Sequence, residues 1–274
     1  MPGVILSLLD RPDTAPGLLA AAERLAELIG GARIEALVVR MPPEATILPS
    51  EEVLTTRQEA RVRERERQRA AALRAAFDDR WSARARAEGV PAKWREVEGL
   101  VATAVKEYGR RADAIVLPRP TDRDRLTARQ EIHTALFGTD RPVLVVPPGG
   151  MHASFGRWVA IAWRDDRHAT RAVLSALRCR VPPERVFVLK GVREGSPRPT
   201  MPQILVEHGV DAELHVLPIG PGVFGGSLLA EAHALGADLL VMGAYRHSPL
   251  RELLLGGVTR FMLGHADLPI LMRH

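Results

Sequence analysis

Short apolar runs alternate along this chain with longer stretches in which apolar residues recur at helical spacing. Continuous runs of Val, Ile and Leu are typical of strands that are buried on both faces of a sheet. The predicted strands of the second half are Arg157–Trp163, Val186–Val192, Ala212–Leu217, Leu239–Met242 and Pro269–Met272. The predicted helices between them are Arg167–Arg178, Met201–His208, Leu228–Leu235 and Val258–His265. This alternation predicts an α/β fold with a parallel sheet between two helical layers.

Three segments of the first half recur in the second half in the same order. The pairs are Val4–Leu9 with Val159–Trp163, Ala112–Pro118 with Ala237–Gly243, and Asp140–Val146 with Asp267–Arg273. A repeat of about half the chain is too long for a solenoid and indicates a duplicated domain. The turn-rich linker Pro147–Gly150 marks the boundary. We therefore predict two tandem domains, over residues 1–148 and 155–274.

The second helix predicted in the first half is unusually long, from about Glu51 to Glu88. Its segment Arg57–Arg69 is charged at nearly every position. A thin apolar stripe is supplied by Val53, Leu54, Val62, Leu73 and Phe77. Two interpretations stay open: a solvated helix with Glu–Arg pairs one turn apart, or a surface that docks a protein partner or an acidic polymer.

Composition narrows the class of protein. Of the 274 residues, 46% are hydrophobic and 26% are charged, which is typical of a soluble globular chain. No apolar run approaches the roughly 18 residues of a membrane span, and the N-terminus resembles a first strand more than a signal peptide. The net charge of +5 gives little support to a nucleic-acid partner. With Cys179 as the single cysteine, we expect a cytoplasmic protein.

Candidate chemistry follows the fourth predicted strand of the second half. Ligands of open parallel sheets bind at the carboxyl ends of the strands, and Gly243 and Arg246 lie at such an end. Gly256 and Gly257 then open the next helix, where bare backbone amides favour an anion. Thr259 adds a hydroxyl group. Together these residues predict a phosphate-binding loop.

The motif Met242-Gly243-x2-Arg246-x9-Gly256-Gly257-Val258-Thr259 resembles the signature of the universal stress proteins, Gly-x2-Gly-x9-Gly-Ser/Thr, which lines an ATP site in that family. The resemblance is strongest from Ala237 to His274 and extends loosely over the whole chain. It implies two doubly wound, Rossmann-like domains, each with a five-stranded parallel sheet in the order 3-2-1-4-5. It also implies pairing through the fifth strands, Val143–Val146 with Ile270–Met272.

The resemblance assigns nucleotide-binding positions residue by residue. The positions at the end of the first strand and beside the adenine are Ala162, Trp163, Arg164 and Gly191. Those at the ribose and phosphates are Met242, Gly243, Tyr245, Arg246, Gly256, Gly257, Val258 and Thr259. In these roles the three motif glycines donate backbone amides, Arg246 supplies charge, and Trp163 and Gly191 flank the adenine.

The chain also departs from the family pattern. Arg246 replaces the second motif glycine, and either grips a phosphate or fills the pocket. Arg164 stands where the family has an Asp, with Asp165 next to it. The first half keeps Asp10 but has Pro118 after its fourth strand and Ala128–Glu131 in place of the glycine pair, so we expect no ATP there.

Other motifs carry weaker signals. Gly220-Pro-Gly222-x2-Gly225 matches a dinucleotide fingerprint but follows the third strand, so a strand-to-helix turn is the preferred interpretation. Cys179 is expected to be a core thiol, with a redox-active thiol as the alternative. The histidines expected on helix surfaces are His168, His208, His233 and His265. His247 lies in the presumed ligand loop. No catalytic or metal-binding set is predicted.

The family resemblance implies a stress-response protein, and with the candidate phosphate loop it predicts binding of ATP or another adenine nucleotide, with or without magnesium, in the C-terminal domain. The protein would act through conformation or through an unidentified protein partner rather than as an enzyme, although slow ATP hydrolysis stays open. A homodimer beyond the intrachain pairing is a further expectation. One alternative is a ligand-free scaffold with a degenerate site, and another is a nucleotide-using enzyme such as an adenylate-forming ligase.

Overall fold

The computed structural model describes residues 3–46, 55–84, 89–121, 125–148, 155–220, 222–244 and 257–274. The first half contains β1 (Gly3–Leu8), α1 (Ala15–Ile29), β2 (Ala32–Arg40), a 3-10 turn (Pro43–Thr46), α2 (Thr56–Arg84), β3 (Ala92–Glu98), α3 (Val101–Gly109), β4 (Ala114–Pro118), α4 (Arg125–Thr139) and β5 (Val143–Val146). The second half contains β6 (Trp158–Trp163), α5 (Arg167–Ala176), β7 (Arg185–Val192), α6 (Gln203–Glu207), β8 (Glu213–Pro218), α7 (Phe224–Ala234), β9 (Leu239–Gly243), α8 (Val258–His265) and β10 (Ile270–Arg273).

The ten strands form one sheet in the order β3-β2-β1-β4-β5-β10-β9-β6-β7-β8. Each half has the predicted order 3-2-1-4-5, and the strands within each half are parallel. The halves join where β5 runs antiparallel to β10, with Leu144 opposite Leu271. The predicted pairing of the fifth strands is therefore confirmed. Helices cover both faces, with α1, α2, α5 and α6 on one and α3, α4, α7 and α8 on the other.

Helix α7 differs from its predicted bounds. It begins at Phe224 rather than Leu228 and so includes Gly225 and Gly226, which have low helix propensity. A Cβ atom on Gly225 would lie 2.7 Å from the Cβ of Phe261 in α8. Gly225 thus permits close packing between two helices. Gly220 and Gly222 lie between β8 and α7, as the preferred interpretation of a strand-to-helix turn predicts, and only the last motif glycine lies inside the helix.

Helix α2 is long, as predicted, and is attached to the sheet mainly through its second half. Ala70, Leu73 and Phe77 are buried there. Toward its first turns, exposed charges pair along the helix, for example Arg67 with Glu64. These contacts favour the solvated interpretation for the described part of α2, whereas Val53 and Leu54 lie outside the described residues.

None of the helices in the described ranges combines the length and apolar character that a membrane crossing requires.

Candidate functional site

The carboxyl edge of the second half is formed by the ends of β6, β7 and β9. Ala162 lies opposite both Leu189 of β7 and Met242 of β9, so these three side chains share one face of the sheet. Gly191 is two residues beyond Leu189 and therefore shares that face as well. Helix α8 covers it and starts at the same edge, because it leads back to the amino end of the parallel strand β10. The structure thus places Ala162, Gly191 and Met242 on the sheet face that α8 covers.

Trp163 and Gly243 lie on the opposite face of the sheet. The Trp163 side chain packs in the layer that contains α5. A Cβ atom on Gly243 would lie 2.7 Å from the backbone nitrogen of Ala169 in α5, which explains the glycine by close strand–helix packing. The indole of Trp163 and the side-chain position of Gly191 therefore lie on opposite faces of the sheet.

Charged groups at the end of β6 are engaged with one another. Lys190 Nζ lies 2.8 Å from Asp165 Oδ2, and Trp163 Nε1 donates to Asp165 Oδ1 at 2.9 Å. The hydrogen bond from Lys190, and after it that from Trp163, hold the pKa of Asp165 below its ordinary value. Arg164 pairs with Asp166 and is exposed. Asp165 thus belongs to the ion pair with Lys190, whereas Asp166 pairs with Arg164 and caps a helix.

Asp166 caps helix α5. Its Oδ1 accepts hydrogen bonds of 3.0 Å from the backbone amides of His168 and Ala169. Burial opposes ionisation, but the Ala169 amide and the Arg164 guanidinium outweigh it and hold the pKa of Asp166 below its usual range. The Asp166 carboxylate thus provides the negative charge that the N-terminus of α5 attracts.

The start of α8 differs from that of α5. Its N-cap residue is Gly257, with φ −72° and ψ 155°, which has no side chain that could cap the helix. Thr259, in its first turn, is buried. The first backbone amides of an α-helix have no partner within the helix, so those of α8 are the amides that a bound anion would use. Four residues predicted or weighed for this site, namely Tyr245, Arg246, His247 and Gly256, lie outside the described residues.

Aromatic and aliphatic side chains cover Gly191. A Cβ atom there would lie 2.5 Å from Cζ of Phe224 and 3.0 Å from Cδ1 of Ile219. These contacts come from α7 and the segment before it, which the sequence motifs did not connect with the end of β7. These side chains therefore leave little space on the sheet face beside Gly191.

The first half has a different arrangement at its carboxyl edge. Arg69 of α2 donates at 2.7 Å to the backbone oxygen of Asp10 and at 2.6 Å to that of Val39. Its Nη2 also lies 2.8 Å from Glu66 Oε2. Although burial would raise it, the pKa of Glu66 is held below its ordinary value by hydrogen bonds from Arg69 and the Met41 amide. Arg69 occupies the edge between β1 and β2, and sequence reasoning missed it.

Strand register shows which positions of the two halves correspond. Leu6 pairs with Ile115 in the first half, as Ala160 pairs with Leu240 in the second. Counting four residues onward aligns Asp10 with Arg164, as predicted. In the same way Val39 aligns with Gly191. The Arg69 guanidinium thus lies at the first-half counterpart of the predicted adenine position.

Two side chains weighed in the sequence have defined surroundings. His168 is 5% exposed and packs against the His274 ring, with centroids 4.4 Å apart, so the prediction of a surface position is wrong for this residue. The reason is the close approach of Gly243 to the start of α5. Burial raises the pKa of the Cys179 thiol, which favours the core thiol over the redox-active alternative.

Comparisons with known proteins agree with the fold. Residues 222–274 match the model of the universal stress protein family. A universal stress protein from Archaeoglobus fulgidus DSM 4304 is 14% identical, with a TM-score of 0.67 over 98% of this chain and 95% of its own. A functionally unknown protein from Pseudomonas aeruginosa PAO1 is 15% identical, with a TM-score of 0.59 over 98% and 92%.

The fold is also shared by the cytoplasmic domain of a prokaryotic cation chloride cotransporter, at 13% identity and a TM-score of 0.50 over 99% of this chain and 95% of that one. No curated protein sequence matches the chain significantly. The family match at residues 222–274 includes α7, β9, α8 and β10. Together with the fold shared over nearly the whole length, it confirms that this chain is similar to the universal stress proteins, as a tandem of two five-stranded units.

Proposed function

We propose that the chain binds an adenine nucleotide, ATP in the first instance, at the carboxyl edge of its second half. In this proposal residues 155–274 form the nucleotide-binding domain and residues 1–148 form a degenerate one. The bound nucleotide acts by changing conformation or partner binding in a stress response, and no chemical step is assigned to the protein.

The observation that carries the proposal is the start of α8. Its N-cap residue, Gly257, has no side chain to cap the helix, and the helix starts at the edge where parallel sheets bind ligands. In the first half the corresponding residues, Arg129 and Gln130, lie inside α4, which begins at Arg125. Amides within a helix are bonded to carbonyl groups one turn earlier and are not free for a phosphate. The difference favours phosphate binding in the second half alone.

The proposed roles follow from position. The amides at Gly257 and Val258, with the Thr259 hydroxyl, bind the phosphates. Ala162 and Met242 border the ribose, and the backbone at Gly191 borders the adenine. Gly256, Tyr245 and Arg246 keep the phosphate and ribose roles implied by the family motif. Magnesium, where present, accompanies the phosphates.

The test is calorimetric titration of ATP into the full chain, with and without magnesium, for the wild type and for Gly257→Asp. Aspartate suits the extended backbone at this N-cap and would occupy the amides of α8, so the helix is retained while the phosphate is excluded. We expect micromolar binding by the wild type and its loss in Gly257→Asp. The matched control, Gln130→Asp, adds the same charge at the corresponding position of α4 and leaves ATP binding unchanged.

One observation favours the second candidate, a ligand-free scaffold. Phe224 and Ile219 pack over Gly191 and narrow the space beside it. If the folded wild type binds no ATP up to millimolar concentration, the nucleotide proposal is overturned and the scaffold takes its place. Equal ATP binding by the wild type and Gly257→Asp would instead show that the nucleotide does not bind at the start of α8.

A further inference from the structure

A large cavity lies in the helical layer that contains α5 and α6, mostly among residues of the second half and bordered by α1 of the first half. Its volume is about 520 Å³. Its walls include Val173 and Ala176 of α5, Leu205 of α6, Val186 of β7, and Leu28 of α1. Sites for small organic molecules range from about 300 to 1,000 Å³, so this cavity has the volume of a ligand site.

The cavity has a structural cause. The connection between the second and third strands of a half passes over this face of the sheet. In the first half it contains the 29 residues of α2, whose Leu73 and Phe77 are buried against the sheet. In the second half it contains α6, with five residues, of which Leu205 alone is buried. The short helix leaves uncovered a volume that α2 fills in the first half.

The chemistry of the walls restricts the ligand. Among the described residues that line it, the interior is aliphatic and aromatic apart from the thiol of Cys179. Charged side chains at the mouth are paired with each other, Glu184 with Arg157 and Glu213 with Arg185, each at 2.7 Å. A charged ligand group inside would lose its hydration without gaining an opposite charge.

The remaining polar residues at the mouth do not change this conclusion. His208 Nδ1 lies 2.8 Å from the backbone oxygen of Ile204 in its own helix. Asp211 is exposed to solvent. Neither residue places an uncompensated charge inside the cavity.

We propose that this cavity binds a neutral lipophilic small molecule, independently of any nucleotide at the carboxyl edge. The occupant is an uncharged, mainly aliphatic or aromatic compound that is buried between α5, α6 and the sheet. Cys179 lies in the wall, and it is the single cysteine of the chain, so its alkylation reports on occupancy of this cavity.

The test uses N-phenyl-1-naphthylamine, an uncharged fluorescent probe, with the full-length chain. We expect saturable fluorescence enhancement with one probe per chain, unchanged by saturating ATP. The probe should also slow maleimide labelling of Cys179 several-fold, followed by mass spectrometry. Ala176→Phe fills the cavity from the last residue of α5 and should weaken probe binding about tenfold.

The matched control is Ala234→Phe, the same exchange at the exposed last residue of α7, which should bind the probe like the wild type. The proposal is overturned if the folded wild type shows no saturable probe binding, or if bound probe leaves the labelling rate of Cys179 unchanged. It is equally overturned if folded Ala176→Phe keeps the wild-type affinity. Should Ala176→Phe fail to fold, the labelling of wild-type Cys179 decides alone.

Discussion

The two halves share one strand order but differ in the connection after their second strand. In the first half, α2 covers the sheet with Leu73 and Phe77 and places Arg69 against the backbone of β1 and β2. In the second half, α6 covers the sheet with Leu205 and leaves a cavity beside it. The long helix thus fills the sheet face of its half and places one arginine at the carboxyl edge, beside a cavity of about 240 Å³. The short helix leaves the sheet face of its half partly open.

The halves also differ at the helix before their fifth strand. Helix α4 has 15 residues and contains the positions that correspond to the motif glycines, whereas α8 has eight and begins immediately after them. The sheet is nearly the same in both cases. Because the two halves share the strand order, any difference in ligand binding between them must come from the connections at the carboxyl edge.

The largest effect should come from truncating the side chains that cover the two sheet faces. Leu73→Ala should lower the free energy of unfolding by about 3 kcal/mol, because it leaves a cavity in a filled layer. Leu205→Ala should cost less, about 2 kcal/mol, because Leu205 already borders open volume and loses fewer contacts. Urea denaturation of both variants measures the difference.

Equal losses in the two variants would contradict the contrast between a filled and an open layer. A larger loss in Leu205→Ala would show that the cavity closes in solution. The two substitutions remove the same atoms from residues that are both fully buried, so each serves as the control for the other.

Much of the fold could be predicted because its signals are local. Continuous apolar runs indicate the strands, and the repeated segments indicate two halves. The pairing of Val143–Val146 with Ile270–Met272 was implied by the family resemblance. Helix bounds were less accurate where packing overrides propensity. Gly225 lies within α7 despite its low helix propensity, and the Phe261 side chain that packs against it comes from a distant part of the sequence.

The site was predictable only in part. Ala162 and Met242 are neighbours because they end adjacent strands, which the strand order implies. No sequence pattern indicates that the Arg69 side chain points toward the sheet, since the backbone oxygens to which it donates are 59 and 30 residues away. Phe224 over Gly191 is another contact between distant segments. The roles of residues in the ligand loop stay predictions.

The next effect concerns the arginine at the first-half edge. Arg69→Ala should lower the free energy of unfolding by roughly 2 kcal/mol, because it removes the ion pair with half-buried Glu66 and the guanidinium hydrogen bonds to two backbone oxygens. The control on the same helix is Arg67→Ala, since Arg67 is 65% exposed whereas Arg69 is 19% exposed. Arg67→Ala should change stability by less than about 0.5 kcal/mol. Urea denaturation checks both.

The same variant tests whether Arg69 or α4 prevents nucleotide binding at the carboxyl edge of the first half. Removing Arg69 opens the adenine-equivalent position, but the amides at Arg129 and Gln130 remain inside α4. Arg69→Ala should therefore bind no more ATP per chain than the wild type, as measured by calorimetry. A second bound nucleotide would show that Arg69, and not α4, keeps the first half closed.

The smallest effect concerns His168, at the start of α5. Burial, followed by the nearby His274, lowers the pKa of its imidazole. The unfolded chain therefore takes up a proton at this residue first as the pH falls. The stability contributed by neutral His168 is present above about pH 6.5 and is lost as the pH falls from there toward the lower pKa of the folded state.

His168→Phe keeps a ring against His274 and removes the titration. Between about pH 7.5 and pH 5.5, the free energy of unfolding should fall less in this variant than in the wild type, by an amount smaller than the effect of Arg69→Ala. His265→Phe is the matched control, because His265 also stacks on an aromatic ring, that of Phe261, but is exposed. Urea denaturation at both pH values compares the three proteins. If His265→Phe flattens the pH dependence as much as His168→Phe, the close packing that Gly243 allows against α5 does not set the charge state of His168.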